Sequence, residues 1–342
     1  MVPLLPVLIC SFLEPPLVDL IAATPGVEVL NAPELLPEPR YACDHTGVRR
    51  DLDEAGLRAW GELLAAAQVC FDFDWDQPAR LPERAPKLRW IQATSAGIGG
   101  FMDRTGLSAS SITVTTAAGV HAVPLSEWVL TGVLHFVKDI RLLQARQGEH
   151  RWQRTAVAAL AGRRAVVVGL GNVGRRVGEV LAALGVDVWG VGRPGGSYDA
   201  PALARLGSTT ELAGMLPGCD ILVLCCPLTP ETEGIIGRTE LALLPEHAIV
   251  VNIGRGQLVD EEAMTEALRA RRLGAAVLDV ARVEPLPQDS PLWDLDNVLI
   301  CPHSASTFAT ENATLVELFL ENLRRFRSGA PMRNLYHADR GY

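Results

Sequence analysis

Three glycines, Gly169, Gly171 and Gly174 in "VVVGLGNVG", stand in GxGxxG spacing directly after an apolar run and directly before the helical run "VGRRVGEVLAALG". In that context the pattern binds a dinucleotide. Gly169 makes a tight turn, Gly171 lets the backbone approach a pyrophosphate, and Gly174 lets the helix pack closely on its strand. The N–H groups at the helix start, near Asn172 and Val173, would carry the pyrophosphate with the help of the helix dipole. The competing reading is a glycine-rich strand-to-helix turn that holds no ligand.

A pocket for unphosphorylated NAD presents Asp or Glu to the ribose 2′-hydroxyl about 20 residues further on, whereas an arginine there suits a 2′-phosphate. Here the run "VDVWGVG" ends on Gly192, and Arg193 follows. Asp187 is the only acidic residue of that run and lies at its beginning, too far from the loop end to meet the ribose. Gly192 leaves no carboxylate to repel a phosphate. Arg193 can pair with one in forked geometry, and Ser197 in the following turn is an extra donor. These residues predict NADP(H) in preference to NAD(H); the rival reading is a solvated arginine beside a loop indifferent to the cofactor.

Elements of a definite kind must position such residues. From Arg163 onward "RRAVVVGLG", "VDVWGVG", "CDILVLCC", "HAIVVNIG", "LGAAVLDV" and "NVLICPH" are near-continuous apolar runs separated by helical stretches. Strands apolar on both faces belong in a parallel sheet covered by helices on both sides. Up to about Ser95 a shorter series ("PVLICSF", "VEVLN", "QVCFDFDW", "LRWIQATS") alternates with helical segments. The expected fold class is therefore α/β with two domains: a smaller flavodoxin-like βα domain over residues 1–98, completed by 309–342, and a Rossmann-type dinucleotide-binding domain over 99–308. Between them the apolar stretch from Pro124 to Gln147 reads as one long helix that must pack against something, a second subunit being one option.

The chain has 342 residues, 48% hydrophobic and 21% charged, with a formal charge of -9. That size accommodates two cores. The acidic balance, with no Lys/Arg run, argues against nucleic acid and anionic membrane surfaces. Seven cysteines without paired metal-ligand spacing read as buried thiols in a reducing, cytoplasmic setting, and no metal is expected. No segment approaches the roughly 20 unbroken apolar residues of a membrane helix.

Three segments at the ends of later strands, "VVNIGRGQLVDEEAM", "AAVLDVARVEPLP" and "NVLICPHSAS", lie where a parallel sheet faces its ligand crevice. Together with "LRWIQATSAGIGG", "GVHAVPLSEWVL", "CCPLTPETEGIIG" and the terminal "GY", they resemble the D-isomer-specific 2-hydroxyacid dehydrogenase family over nearly the whole chain, with glyoxylate/hydroxypyruvate reductases as the nearer kin. The resemblance implies hydride transfer between a nicotinamide and a 2-oxo or D-2-hydroxy acid. It places Arg255 on the substrate carboxylate and carbonyl, His303 as the acid/base and Glu284 as its orienting partner.

By the same resemblance, backbone N–H groups around Ser95, Ala96 and Gly97 cradle the substrate carboxylate across a cleft from Arg255. Asp279 holds the nicotinamide carboxamide, while Cys226, Pro227, Thr232 and Ile253 line the cofactor. Ala281 stands where the family often has an aromatic residue, and Thr116 where it often has asparagine, which puts pocket shape rather than chemistry in question. Trp152, in "EHRWQR", matches a tryptophan that some relatives send into a neighbouring subunit; a homodimer is the expected assembly. The alternative function is a nicotinamide-sensing binding protein of the corepressor type, without significant turnover.

Overall fold

Runs of Val, Leu and Ile with no polar alternation are buried on both faces. In the computed structural model, which describes residues 4–341, they form two parallel sheets in two compact units. Unit 1 comprises Met1–Val120 and Thr307–Tyr342; unit 2 is His121–Ser306.

In unit 1, β1 (Leu5–Ile9), β2 (Val27–Leu30), β3 (Val69–Phe71), β4 (Trp90–Gln92) and β5 (Thr113–Thr115) stand in the order β2-β1-β3-β4-β5. That is the flavodoxin-like order. Successive residues of each strand point to opposite faces. Leu8, Cys70 and Ile91 pack with Trp60 and Leu64 of the helix Glu54–Ala66, while Val7, Phe71 and Trp90 pack with Leu315 and Phe319 of the helix Glu311–Ser328. The ring of Phe319 stacks on Trp90 at 5.2 Å and meets Phe71 edge-on at 5.5 Å.

The junction expected at 98/99 lies instead at 120/121. The reason is β5, whose residues Thr113, Val114 and Thr115 pair with Trp90, Ile91 and Gln92 as the fifth strand of this sheet. A three-residue Thr-Val-Thr strand carries too little periodicity to be read from sequence.

Unit 2 contains β6 (Arg164–Val168), β7 (Asp187–Gly192), β8 (Arg205–Ser208), β9 (Ile221–Leu224), β10 (Ile249–Asn252), β11 (Ala275–Leu278) and β12 (Val298–Ile300). All run parallel in the order β12-β11-β10-β9-β6-β7-β8. This is the Rossmann order with one more strand beyond β11, and its direction reverses between β6 and β9, where such sheets bind ligands. Edge strand β8, "RLGS", is half solvated and has no apolar run to betray it.

The helix expected from Pro124 to Gln147 is two helices, Ala122–Val137 and Ile140–Gly148, broken where Asp139 takes a left-handed conformation at φ 50°. Leu125, Val129, Val133 and Val137 of the first are buried with Val167 and Val277, while Trp128, Leu130, Leu134 and Phe136 are only partly covered. Gly132 faces Val277, where a Cβ would stand 2.5 Å from a methyl group. The second helix buries no residue. Among the described residues no helix is long and apolar enough to cross a membrane.

Candidate functional site

The three glycines of the loop after β6 differ in what surrounds them. Gly169 has φ 104°, and a Cβ there would stand 2.6 Å from the backbone nitrogen of Cys226 on the neighbouring strand end. At Gly174 a Cβ would stand 1.8 Å from the Gly169 carbonyl oxygen and 2.9 Å from Cys225 Sγ. Around Gly171, by contrast, a Cβ meets nothing within 4 Å. The helix Asn172–Ala183 starts there with no side chain capping it. Two glycines are thus required by packing, and the third opens space at an uncapped helix start, an arrangement that fits a pyrophosphate.

The Cys225 thiol donates to the carbonyls of Val168 and Gly169 at 3.3 and 3.2 Å. Burial raises both thiols, that of Cys226 to about 11, so neither is a nucleophile near neutral pH. Asn172 and Val173 begin the helix; the Asn172 side chain accepts from Arg175 at 2.9 Å.

At the end of β7, Arg193 is exposed and opens a turn closed by Gly196 N–H to the Arg193 carbonyl at 3.1 Å, with Gly195 at φ 69°. Asp187 is engaged at the far end of the strand, 3.0 Å from Arg164 Nε.

Arg255, Asp279 with Glu284, and His303 follow β10, β11 and β12, three adjacent strands, at their C-terminal ends. His303 Nδ1 lies 2.7 Å from Glu284 Oε2, and the other oxygen of Glu284 accepts from the Ala281 N–H at 3.1 Å. Both side chains remain accessible, at 46% and 38%. His303 takes φ 52°, with its N–H donating to the Asp279 carbonyl at 2.8 Å. Buried Asp279 accepts from the N–H groups of Ser304 and Ala305, both at 2.9 Å, so its carboxylate fixes the backbone that follows His303.

Arg255 is half-buried, and its desolvation lowers its pKa against the opposing pull of Glu284 and Asp279; a guanidinium stays charged regardless. Buried Asn252 is not among the residues expected from the sequence; its side chain donates to the Arg255 carbonyl at 2.9 Å and accepts from Gly254 N–H at 3.1 Å. The signal available was an asparagine closing an otherwise apolar strand. Gly256 is needed because a Cβ there would stand 2.0 Å from the Ala281 carbonyl carbon, so the Arg255 and Glu284 loops meet backbone to backbone.

The other expected residues are dispersed. Cys226 and Pro227 form the turn after β9, beside Gly169. The Thr232 hydroxyl donates to the Pro227 carbonyl at 2.7 Å and accepts from Thr229 N–H at 2.8 Å, so it braces that turn. Ile253 is buried in the unit 2 core. Ser95, Ala96 and Gly97 form the loop after β4 in unit 1, with Ser95 O accepting from Ala117 N–H at 3.1 Å. Trp152 is 99% exposed.

Residues 130–305 match the model of the D-isomer specific 2-hydroxyacid dehydrogenase, NAD binding domain. The chain is 32% identical over 270 residues to a glyoxylate reductase of Aeropyrum pernix, covering 76% of this chain and 79% of that one. It is 25% identical over 311 residues to a hydroxypyruvate reductase of Blautia hydrogenotrophica, covering 82% and 94%. Among solved structures, a D-isomer specific 2-hydroxyacid dehydrogenase from Xanthobacter autotrophicus in complex with NADPH and MES superposes with TM-score 0.78 at 31% identity, covering 99% of this chain and 100% of that one. An NADPH-dependent glyoxylate/hydroxypyruvate reductase from Sinorhizobium meliloti, in complex with NADP and sulfate, gives 0.76 at 26%, with the same coverage.

Proposed function

The chain belongs to the D-isomer specific 2-hydroxyacid dehydrogenase family, and on that premise we propose that it is an NADP(H)-preferring reductase of small 2-oxo acids. As a family member it is an NAD(P)-dependent oxidoreductase that interconverts 2-oxo and 2-hydroxy acids. The observation that carries the catalytic reading is the Glu284–His303 pair at 2.7 Å, in a row of three successive strand ends that begins with the one bearing Arg255.

Reduction of a 2-oxo acid needs a cation for the carboxylate and a proton for the developing alkoxide. Arg255 forks onto the carboxylate and polarises the carbonyl, a geometry lysine does not reproduce. With Nδ1 turned to Glu284, His303 gives a proton to the substrate oxygen from Nε2, and takes it back in the reverse direction. Glu284, steered by the Ala281 N–H, holds the ring in that orientation.

The open helix start at Gly171, Asn172 and Val173 would bind the pyrophosphate, and Arg193 the 2′-phosphate. Cys226, Pro227, Thr232 and Ile253 are assigned to the cofactor's surroundings and Asp279 to its carboxamide. When bound there, a reduced nicotinamide would supply the hydride. Neighbours in complex with NADPH and NADP support the cofactor preference. All seven cysteines are free thiols.

Oxidation of NADPH and, separately, NADH by the purified protein against glyoxylate, hydroxypyruvate, pyruvate and phenylpyruvate tests this. Turnover with NADPH well above NADH is expected. Equal use of both cofactors would discard the role given to Arg193. Cofactor binding without turnover on any substrate would point to the sensing protein instead.

A further inference from the structure

The ring of Tyr198 is enclosed by two glycines of the loop after β7. A Cβ on Gly192 would stand 2.2 Å from its Cε2 and 2.5 Å from its Cζ, and a Cβ on Gly196 would stand 2.5 Å from its hydroxyl oxygen. That hydroxyl accepts the Arg193 N–H at 2.9 Å. The tyrosine therefore fills the space into which any side chain at 192 would grow, and it does so while tying down the backbone of the arginine. A phenol that accepts from a backbone N–H still has its own O–H to donate, which suits a phosphate oxygen.

We propose that Tyr198 is a specificity-determining residue of the cofactor site: its ring excludes a carboxylate from position 192, and its hydroxyl fixes the Arg193 turn for a 2′-phosphate. This rests on reading the loop as the ribose end of the dinucleotide site. The glycine at 192 is then required by packing as well as tolerated by the ligand, and exchanging it for an acid cannot by itself convert the protein to NADH.

Calorimetric titration with NADPH and with NADH, on wild type, Gly192→Asp, Tyr198→Ala, Tyr198→Phe and the Gly192→Asp/Tyr198→Ala pair, decides it without reliance on turnover. Gly192→Asp should lose NADPH affinity and gain none for NADH, while the double variant should bind NADH about tenfold or more tighter than Gly192→Asp does. Tyr198→Phe should lose NADPH affinity several-fold and leave NADH unchanged, about what one hydrogen bond contributes.

Gly192→Asp gaining NADH affinity as readily as the double variant, or Tyr198→Ala leaving the NADPH/NADH ratio unaltered, would overturn the proposal. Should Gly192→Asp fail to fold, Gly192→Ala replaces it. Its Tm should fall and be restored by Tyr198→Ala, and additive effects of the two would count against the exclusion. A wild type that prefers NADH would sink the NADP reading and with it the role given to the hydroxyl, whereas the comparison of single and double variants would still decide whether the ring excludes a carboxylate from position 192.

Discussion

Arg255 is held in place by its neighbours. Asn252 holds its carbonyl, and Gly256 lets its loop touch that of Glu284. Losing a charge-assisted contact of about 1.5–3 kcal/mol would lower kcat/KM by roughly ten- to a hundredfold. Arg255→Ala should show that loss with NADPH affinity nearly intact, and Arg255→Lys should not restore it; unchanged steady-state kinetics in Arg255→Ala would remove the residue from the site.

Asp44, in unit 1, is a second charged residue whose role can be read from its partners. Its carboxylate takes Arg40 at 2.7 and 3.1 Å and the N–H groups of Arg40 and Gly47, both at 3.0 Å. The hydrogen bond from Arg40 holds the carboxyl well below the usual carboxylate range. A depressed folded-state pKa gives stability that is fully present above the unfolded value and lost as pH falls through the folded one. Asp44→Asn should therefore cost about 1–3 kcal/mol at neutral pH. In urea titrations that difference should shrink below the ordinary carboxylate range; a gap that stays constant down to strongly acidic pH would show the charge is irrelevant.

Among the elements, the β6-to-helix connection separates packing from binding within one loop. Gly174→Ala drives a methyl into the Gly169 carbonyl and should cost stability, with overpacking typically worth 1–3 kcal/mol or more, as well as cofactor affinity. Gly171→Ala meets no protein atom and should leave Tm within a degree or two while weakening NADPH binding, because the space it fills is the ligand's. Equal NADPH affinity in Gly171→Ala and wild type would mean that the pyrophosphate lies elsewhere. This loop was legible from its glycine spacing because a strand, a tight turn and a helix start are all local features. Strands β5 and β8 were not, since a three-residue strand and a solvated edge strand are defined by their partners.

For the molecule as a whole, the helix Ala122–Val137 buries Leu125, Val129, Val133 and Val137 within unit 2 but leaves Trp128, Leu130, Leu134 and Phe136 only partly covered, so part of its apolar surface is still open to a second subunit. Beyond it come the helix Ile140–Gly148 with no buried residue and the exposed segment that carries Trp152 and Val157. A fully exposed tryptophan is the kind of anchor that interfaces use. The purified protein is expected to sediment as a homodimer and Trp152→Ala to dissociate already at higher concentration, its dimer Kd raised tenfold or more for an anchor of about 2 kcal/mol. A wild-type monomer at micromolar concentration would withdraw the dimer.

The class of fold, the glycine spacing of the loop after β6, and the order of Arg255, Glu284 and His303 along the chain are all legible in contiguous residues, because strand burial and motif spacing are local properties. The pairing of Gln92 with Thr115 that carries the unit boundary to 120, the brace of Asn252 on Arg255, and the filling of the space beside Gly192 by Tyr198 emerge once the chain is folded. Each of these is a contact whose other partner is set by how strands order and loops return, and no local periodicity encodes that.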